Sequence, residues 1–211
     1  QLSIIHSPLK IFCIANNYVW HNKPLASTLL NTEEPVFFMK PDSAVLAGGK
    51  PFFVPDHLGR VDVAAHMVVR ICRLGKTIPE RFAHRYWDAM TVGLDFTARD
   101  LLDYAQARGL PWTMAKALDG SAVTGCWVDK GTLPTQATFS CVMDGKTLCR
   151  ASMADMQHSI DSMIARLSLN FTLKQGDLLF TGTPAQPAEV AIGSMLEGWI
   201  EDQQVLQCRC K

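Results

Sequence analysis

Residues 61–72, VDVAAHMVVRIC, constrain the fold more than any other stretch, because they form the longest β-branched run in the chain. Such a run suits a pleated, buried surface, so it predicts a central strand. His66 falls in its middle, where an imidazole needs a hydrogen-bond partner or serves as a ligand. A second stretch, residues 91–116, begins as an apolar run, delivers Asp95 among Gly93, Leu94 and Phe96, and then turns charged and helical. A carboxylate leaving a buried strand can hold a fixed negative charge toward a metal or substrate. Lys116, beyond the Leu110-Pro111-Trp112 break, supplies the opposite charge. The competing expectation is that Asp95 caps the following helix and Lys116 is a solvated surface lysine.

Around these stretches the pattern is mostly strands. Residues 9–14, 35–41, 178–181, 190–196 and 196–200 read as short buried strands, and a last strand runs to Cys210. Asp144-Gly145 between 138–143 and 146–149 marks a hairpin. Helical spacing covers 78–89, opened by Pro79, then 100–108, stopped by Gly109 and Pro111, and 156–167. Residues 24–34 are polar and small and read as a loop. No composition shift, repeat or low-complexity segment divides the chain, so a single strand-rich domain over 1–211 is expected. His21 follows the first strand among aromatics, as a general base or a structural histidine. Lys40, at the end of the second strand, either reaches an acidic substrate or snorkels to the surface.

Bulk properties narrow the partners. Twenty basic residues balance twenty acidic ones, which argues against a nucleic-acid or anionic-membrane partner. No apolar run approaches the roughly 18 residues of a membrane span, and no signal peptide is visible at the start. Seven cysteines without CxxC spacing fit a reducing cytoplasm, several of them as small buried hydrophobes.

Several pieces in order resemble one family. They are Asn17-Tyr18-x-x-His21, Phe38-Met39-Lys40-Pro41, and the run from Val92 through Asp95 and Arg99 to Leu101. Lys116-x-x-Asp119-Gly120-Ser121-Ala122, Asp155-Met156, and Thr172-Leu173-x-x-Gly176-Asp177-x-x-x-Thr181-Gly182-Thr183-Pro184 follow. This ordered set resembles the fumarylacetoacetate hydrolase family, in its small single-domain branch. The resemblance implies a mostly β, α+β fold: a pseudo-symmetric mixed β-sandwich roll with flanking helices, an N-terminal lid within residues 1–34, and a homodimer. It implies chemistry on a small carboxylate substrate, a 2-oxo or β-diketo acid, by C–C bond hydrolysis, decarboxylation or keto–enol isomerisation. It also implies Mg²⁺ or Mn²⁺, held by a Glu-x-Glu pair and an Asp, polarising the substrate's oxygens. On that resemblance Asp95 is the Asp ligand, Lys116 the active-site lysine and His21 the lid base. Thr183 is then a substrate contact, and Lys40 and Arg99 are substrate-facing cations.

The chain departs from the family where the metal should sit. The Glu-x-Glu positions fall on Ala64 and His66, which lie on one face of the strand because side chains alternate. Ala64 removes one ligand, and His66 replaces an anionic oxygen with a neutral nitrogen. Asp95 with His66 makes a poor site for a hard ion, so no bound metal is one expectation, with Lys116 pairing directly with Asp95. Pro24, Leu102, Met153 and the Ala185-Gln186-Pro187-Ala188 loop depart as well. Two functions follow: a hydrolase or isomerase with an altered site, or a catalytically silent member that binds or oligomerises.

Overall fold

The computed structural model describes residues 10–15, 17–18, 35–46 and 49–211. Its strands are β1 (Ile11–Ile14), β2 (Phe37–Lys40), β3 (Val45–Leu46), β4 (Val61–Ile71), β5 (Trp87–Ala98), β6 (Ala122–Thr124) and β7 (Val128–Asp129). They continue as β8 (Thr138–Met143), β9 (Lys146–Ser152), β10 (Leu178–Phe180), β11 (Ala188–Glu189), β12 (Met195–Ile200) and β13 (Gln203–Arg209). The helices are α1 (Glu80–Ala83), α2 (Arg99–Ala107), α3 (Thr113–Lys116) and α4 (Ile160–Asn170). None of the helices among the described residues is long and apolar enough to cross a membrane.

The expected central strand is central. β4 pairs with β5 from Val61↔Ala98 to Ile71↔Trp87, in a mixed sheet ordered β2-β1-β10-β4-β5-β6-β3. A second, antiparallel sheet, β13-β12-β8-β9, packs against it. Alternation along β4 and β5 creates two unlike faces. Val61, Val63, Ala65, Met67 and Val69, with Met90, Val92, Leu94 and Phe96, enter the main core beside Phe139, Cys141, Ile164 and Leu196. Each large aliphatic side chain there contributes roughly 1.5–3 kcal/mol by leaving water. The opposite face carries Asp62, Ala64, His66 and Val68 against Thr97, Asp95, Gly93 and Thr91, and it too is buried. A second cluster of Ile11, Cys13, Ala44, Val68, Leu178 and Phe180 packs on that side. Both faces are covered, so the strand reads as nearly continuous apolar sequence, and its few polar residues become the candidates for chemistry.

The hairpin turns at Asp144 and Gly145, whose φ angles of 51° and 77° are those a tight two-residue turn requires. The helix expected over 78–89 is a single turn, because Trp87 and the residues after it pair with β4; ladder bonds and two buried faces outweigh local helical spacing. The helix expected from Met156 starts instead at Ile160. Ser159 caps it by accepting the Ser162 N–H at 3.0 Å, while Met156 bridges to Tyr18. The strand expected over 190–196 is broken by a turn at Gly193, φ 99°, between β11 and β12.

Candidate active site

Asp95 sits on the polar face of β5, directly opposite Ala64 and before the strand's end. It does not cap the following helix, since α2 starts at Arg99 and its N-cap, Ala98, makes no side-chain bond. Two lysines converge on it instead. Lys116, in the last turn of α3, places Nζ 2.7 Å from Asp95 Oδ2 and 2.8 Å from Thr97 Oγ1. Lys40, at the end of β2, reaches 2.7 Å from Asp95 Oδ1. Lys40 does not snorkel to the surface, since it is 1% exposed.

The surroundings of Lys40 explain how an ammonium survives there. It donates to Phe96 O at 3.0 Å, Ser121 O at 3.2 Å and Ser121 Oγ at 2.8 Å. The Ser121 hydroxyl gives its own proton to Leu118 O at 2.6 Å, which leaves a lone pair for the lysine. An ammonium has three protons, and these three oxygens use all of them. Asp95 Oδ1 therefore meets Lys40 as a charge and has no aligned hydrogen bond of its own. Burial lowers the Lys40 pKa, and Asp95 pulls it back. For Asp95 burial works upward, but the Lys116 and Lys40 ammoniums outweigh it and hold the carboxyl well below the usual carboxylate range.

His66 lies on the same face, one position of alternation beyond Ala64 and opposite Gly93. Its Nδ1 accepts the Gly182 N–H at 3.1 Å, and its ring meets Phe180 edge-on at 5.6 Å. Burial pushes the imidazole down to about 4; the opposing pull of Asp95 is answered by Lys116 and Lys40. Gly182 can approach because it has no side chain: at φ 103°, a Cβ there would stand 2.7 Å from Asn17 Cβ. Asn17 is itself a staple, donating to Thr181 O at 2.8 Å and accepting from His158 N at 2.8 Å.

The other expected site residues lie around this cluster. Arg99 Nε donates to Asp62 Oδ2 at 2.7 Å, and Asp62 Oδ1 is held by Arg60 at 2.7 Å, so Arg99 is anchored one row from Asp95. Thr183 follows Gly182 and accepts the Ala185 N–H at 3.4 Å. His21 lies outside the described residues. Thr97 and Ser121 were not singled out from sequence for this site. A serine or threonine flanking a strand carries no local sign that a lysine from elsewhere will land on it. A cavity of about 360 Å³ beside β2 and residues 110–113 is bordered by Phe38, Trp112 and Lys116, and gives that lysine an approach. A larger one, about 720 Å³, runs along β13 past Cys126 and touches none of these residues.

The donor set does not fit the Mg²⁺ or Mn²⁺ that the family resemblance implies. Ala64 offers no ligand atom opposite Asp95, and both Asp95 oxygens already face ammoniums. His66 has the wrong polarity. A backbone N–H can only donate, so Nδ1 is the unprotonated nitrogen and Nε2 carries the proton, with no lone pair for an ion. A metal-bound histidine shows the reverse, giving its remote N–H to an acceptor. Among the described residues no group of three or more His, Cys, Asp or Glu side chains is placed to hold an ion.

Comparison with known proteins places this geometry among relatives. Residues 10–210 match the family model described as fumarylacetoacetate (FAA) hydrolase, C-terminal. An oxaloacetate tautomerase from Rattus norvegicus is 32% identical over 193 residues, covering 90% of this chain and 86% of the relative. An oxaloacetate tautomerase from Escherichia coli is 33% identical over 178 residues, covering 83% and 80%. Among solved structures, fumarylpyruvate hydrolase from Pseudomonas aeruginosa in complex with Mn²⁺ and pyruvate has a TM-score of 0.87 at 29% identity, covering 96% of this chain and 89% of its own.

Proposed function

The chain belongs to the fumarylacetoacetate hydrolase family, and from that premise we propose that the polar face of β4 and β5 binds a small 2-oxo carboxylate and interconverts its keto and enol forms without a resident divalent ion. The observation that carries the reading is the Lys40–Asp95–Lys116 cluster. Two ammoniums against one carboxylate leave an excess positive charge in a buried setting, where an arriving carboxylate or enolate is stabilised far more than in water. Relatives named as oxaloacetate tautomerases support the substrate class.

Among the family's reactions, enolisation asks least of such a site. Its one high-energy species is the enolate, whose charge spreads onto an oxygen that Lys116 can meet. C–C hydrolysis adds a nucleophilic water and a carbanion leaving group, and a chelating ion serves both. Lys116 meets that enolate oxygen, and Lys40 holds Asp95 ionised beneath it. His21 remains the proton carrier on the sequence resemblance alone. The family's homodimer is carried forward as an expectation for analytical ultracentrifugation.

The test is the decay of the oxaloacetate enol absorbance in excess chelator. The proposal expects acceleration that chelator leaves intact and that Lys116→Met lowers by about 100-fold, the usual scale for one transition-state charge contact. No acceleration, with or without added Mn²⁺, would sink it. One observation favours the second reading, a silent binding protein: both Asp95 oxygens are already engaged by lysines. Saturable pyruvate binding by calorimetry with no turnover would favour that reading.

A further inference from the structure

The family's metal polarises a 2-oxo acid, and the residues here fit no metal, so the developing negative charge needs a second partner beside Lys116. We propose that His66 is that partner: a neutral imidazole whose Nε2–H is presented to the substrate's enolate oxygen. The inference rests on the 2-oxo acid reading above and names the group that replaces the Lewis acid.

The tautomer follows from geometry. Gly182 N donates to Nδ1 at 3.1 Å, so the single proton of a neutral ring sits on Nε2. Orientation is fixed twice, by that bond and by the edge-on contact with Phe180. The backbone that supplies the N–H is fixed in turn, because Gly182 lies against Asn17, and Asn17 ties the neighbouring Thr181 O to the His158 backbone. The ring is 2% exposed and is held through Nδ1 by the Gly182 N–H. An imidazole fixed through Nδ1 on a charged face turns its protonated nitrogen away from Gly182, toward whatever acceptor that face can receive.

Ala64 carries the smallest side chain on this face of β4. It lies directly opposite Asp95 and two residues before His66, and at 6% exposed it is the most accessible of residues 61–69. A small planar oxyanion resting over the Ala64 methyl would have Nε2–H on one side and the Lys116 ammonium on the other. Neutrality serves this role. An imidazolium would repel the two ammoniums, whereas a neutral donor adds a hydrogen bond that strengthens as the oxygen gains charge.

The experiment uses the full chain in chelator, with oxalate as a planar mimic of the enolate. Nitrogen-15 NMR of the imidazole reports the tautomer directly, and a thermal shift reports oxalate binding independently. The expected result is Nε2 protonated and Nδ1 bare in the free protein, with the Nε2–H proton moving downfield as oxalate saturates. His66→Gln, which can accept from Gly182 and still donate, should keep oxalate affinity within a few-fold. His66→Leu should lose roughly 10- to 100-fold, the range of one hydrogen bond to a charged group. If oxalate gives no thermal shift, the 2-oxo acid reading falls and takes this inference with it. If oxalate binds while the Nε2 signal stays still, or His66→Leu binds it equally well, only the role of His66 is overturned. A proton found on Nδ1 in the free protein would overturn it too.

Discussion

Lys40 and Asp95 are buried together, and neither could be buried alone. Replacing Lys40 with Met keeps the length of the side chain but leaves Asp95 with Lys116 as its remaining ammonium. Removing one partner of a buried pair typically costs about 3–5 kcal/mol, so Lys40→Met should lower the urea-unfolding free energy by that order. Adding Asp95→Asn should recover a large part of the loss, because the uncompensated charge goes with it; a double-mutant cycle reads the coupling. His66 makes a separate prediction. Its folded-state pKa of about 4 lies below the ordinary imidazole value of 6.5, so between those pH values the unfolded chain binds the extra proton. Stability should therefore fall as pH drops from about 6.5 to 4, by an amount on the order of 3 kcal/mol, and level off below. His66→Gln should flatten that part of a pH–stability profile. Asp95, depressed far below its ordinary range, stays ionised across this window, and its contribution is lost at still lower pH.

At the scale of elements, β4 and β5 position everything, and Gly93 on β5 stands where neighbouring side chains leave no room for a Cβ. A Cβ there would lie 2.5 Å from Val68 Cγ2 and 2.8 Å from Phe180 Cε1. Gly93→Ala should thus destabilise by about 1–3 kcal/mol through overpacking, visible as a lower denaturation midpoint at unchanged slope. It should also disturb His66, which packs on the same Phe180 ring. Much of this framework was legible beforehand. The β-branched run of β4, the Asp144-Gly145 turn and the α2 helix all carry local signals of periodicity or turn chemistry. The failures were local signals overruled from a distance: the 78–89 helical spacing yielded to pairing with β4. Lys40 was hidden for the same reason. The partners that let it leave water are Asp95, Phe96 and Ser121, far along the chain and silent in its own neighbourhood. The polarity of His66 was also out of reach, since a backbone N–H at Gly182 decides it.

Across the whole molecule, a scaffold shared with a Mn²⁺-containing relative surrounds a centre built from ammoniums and a neutral imidazole. Ala64 and His66 were visible in the sequence as departures. The pairing of Lys116 with Asp95 was expected alongside them, whereas the arrival of Lys40 on the same carboxylate was not. In the proposed function this centre acts without a divalent ion. Electron paramagnetic resonance of free Mn²⁺, titrated into the full chain with and without pyruvate, tests it most directly when paired with oxaloacetate enol decay in chelator. The free-ion signal should be undiminished for the wild-type chain, and decay should persist in chelator. Ala64→Glu with His66→Glu should begin to draw Mn²⁺ from solution. One Mn²⁺ retained per wild-type chain, with enol conversion abolished by chelator and restored by the ion, would contradict the proposed function.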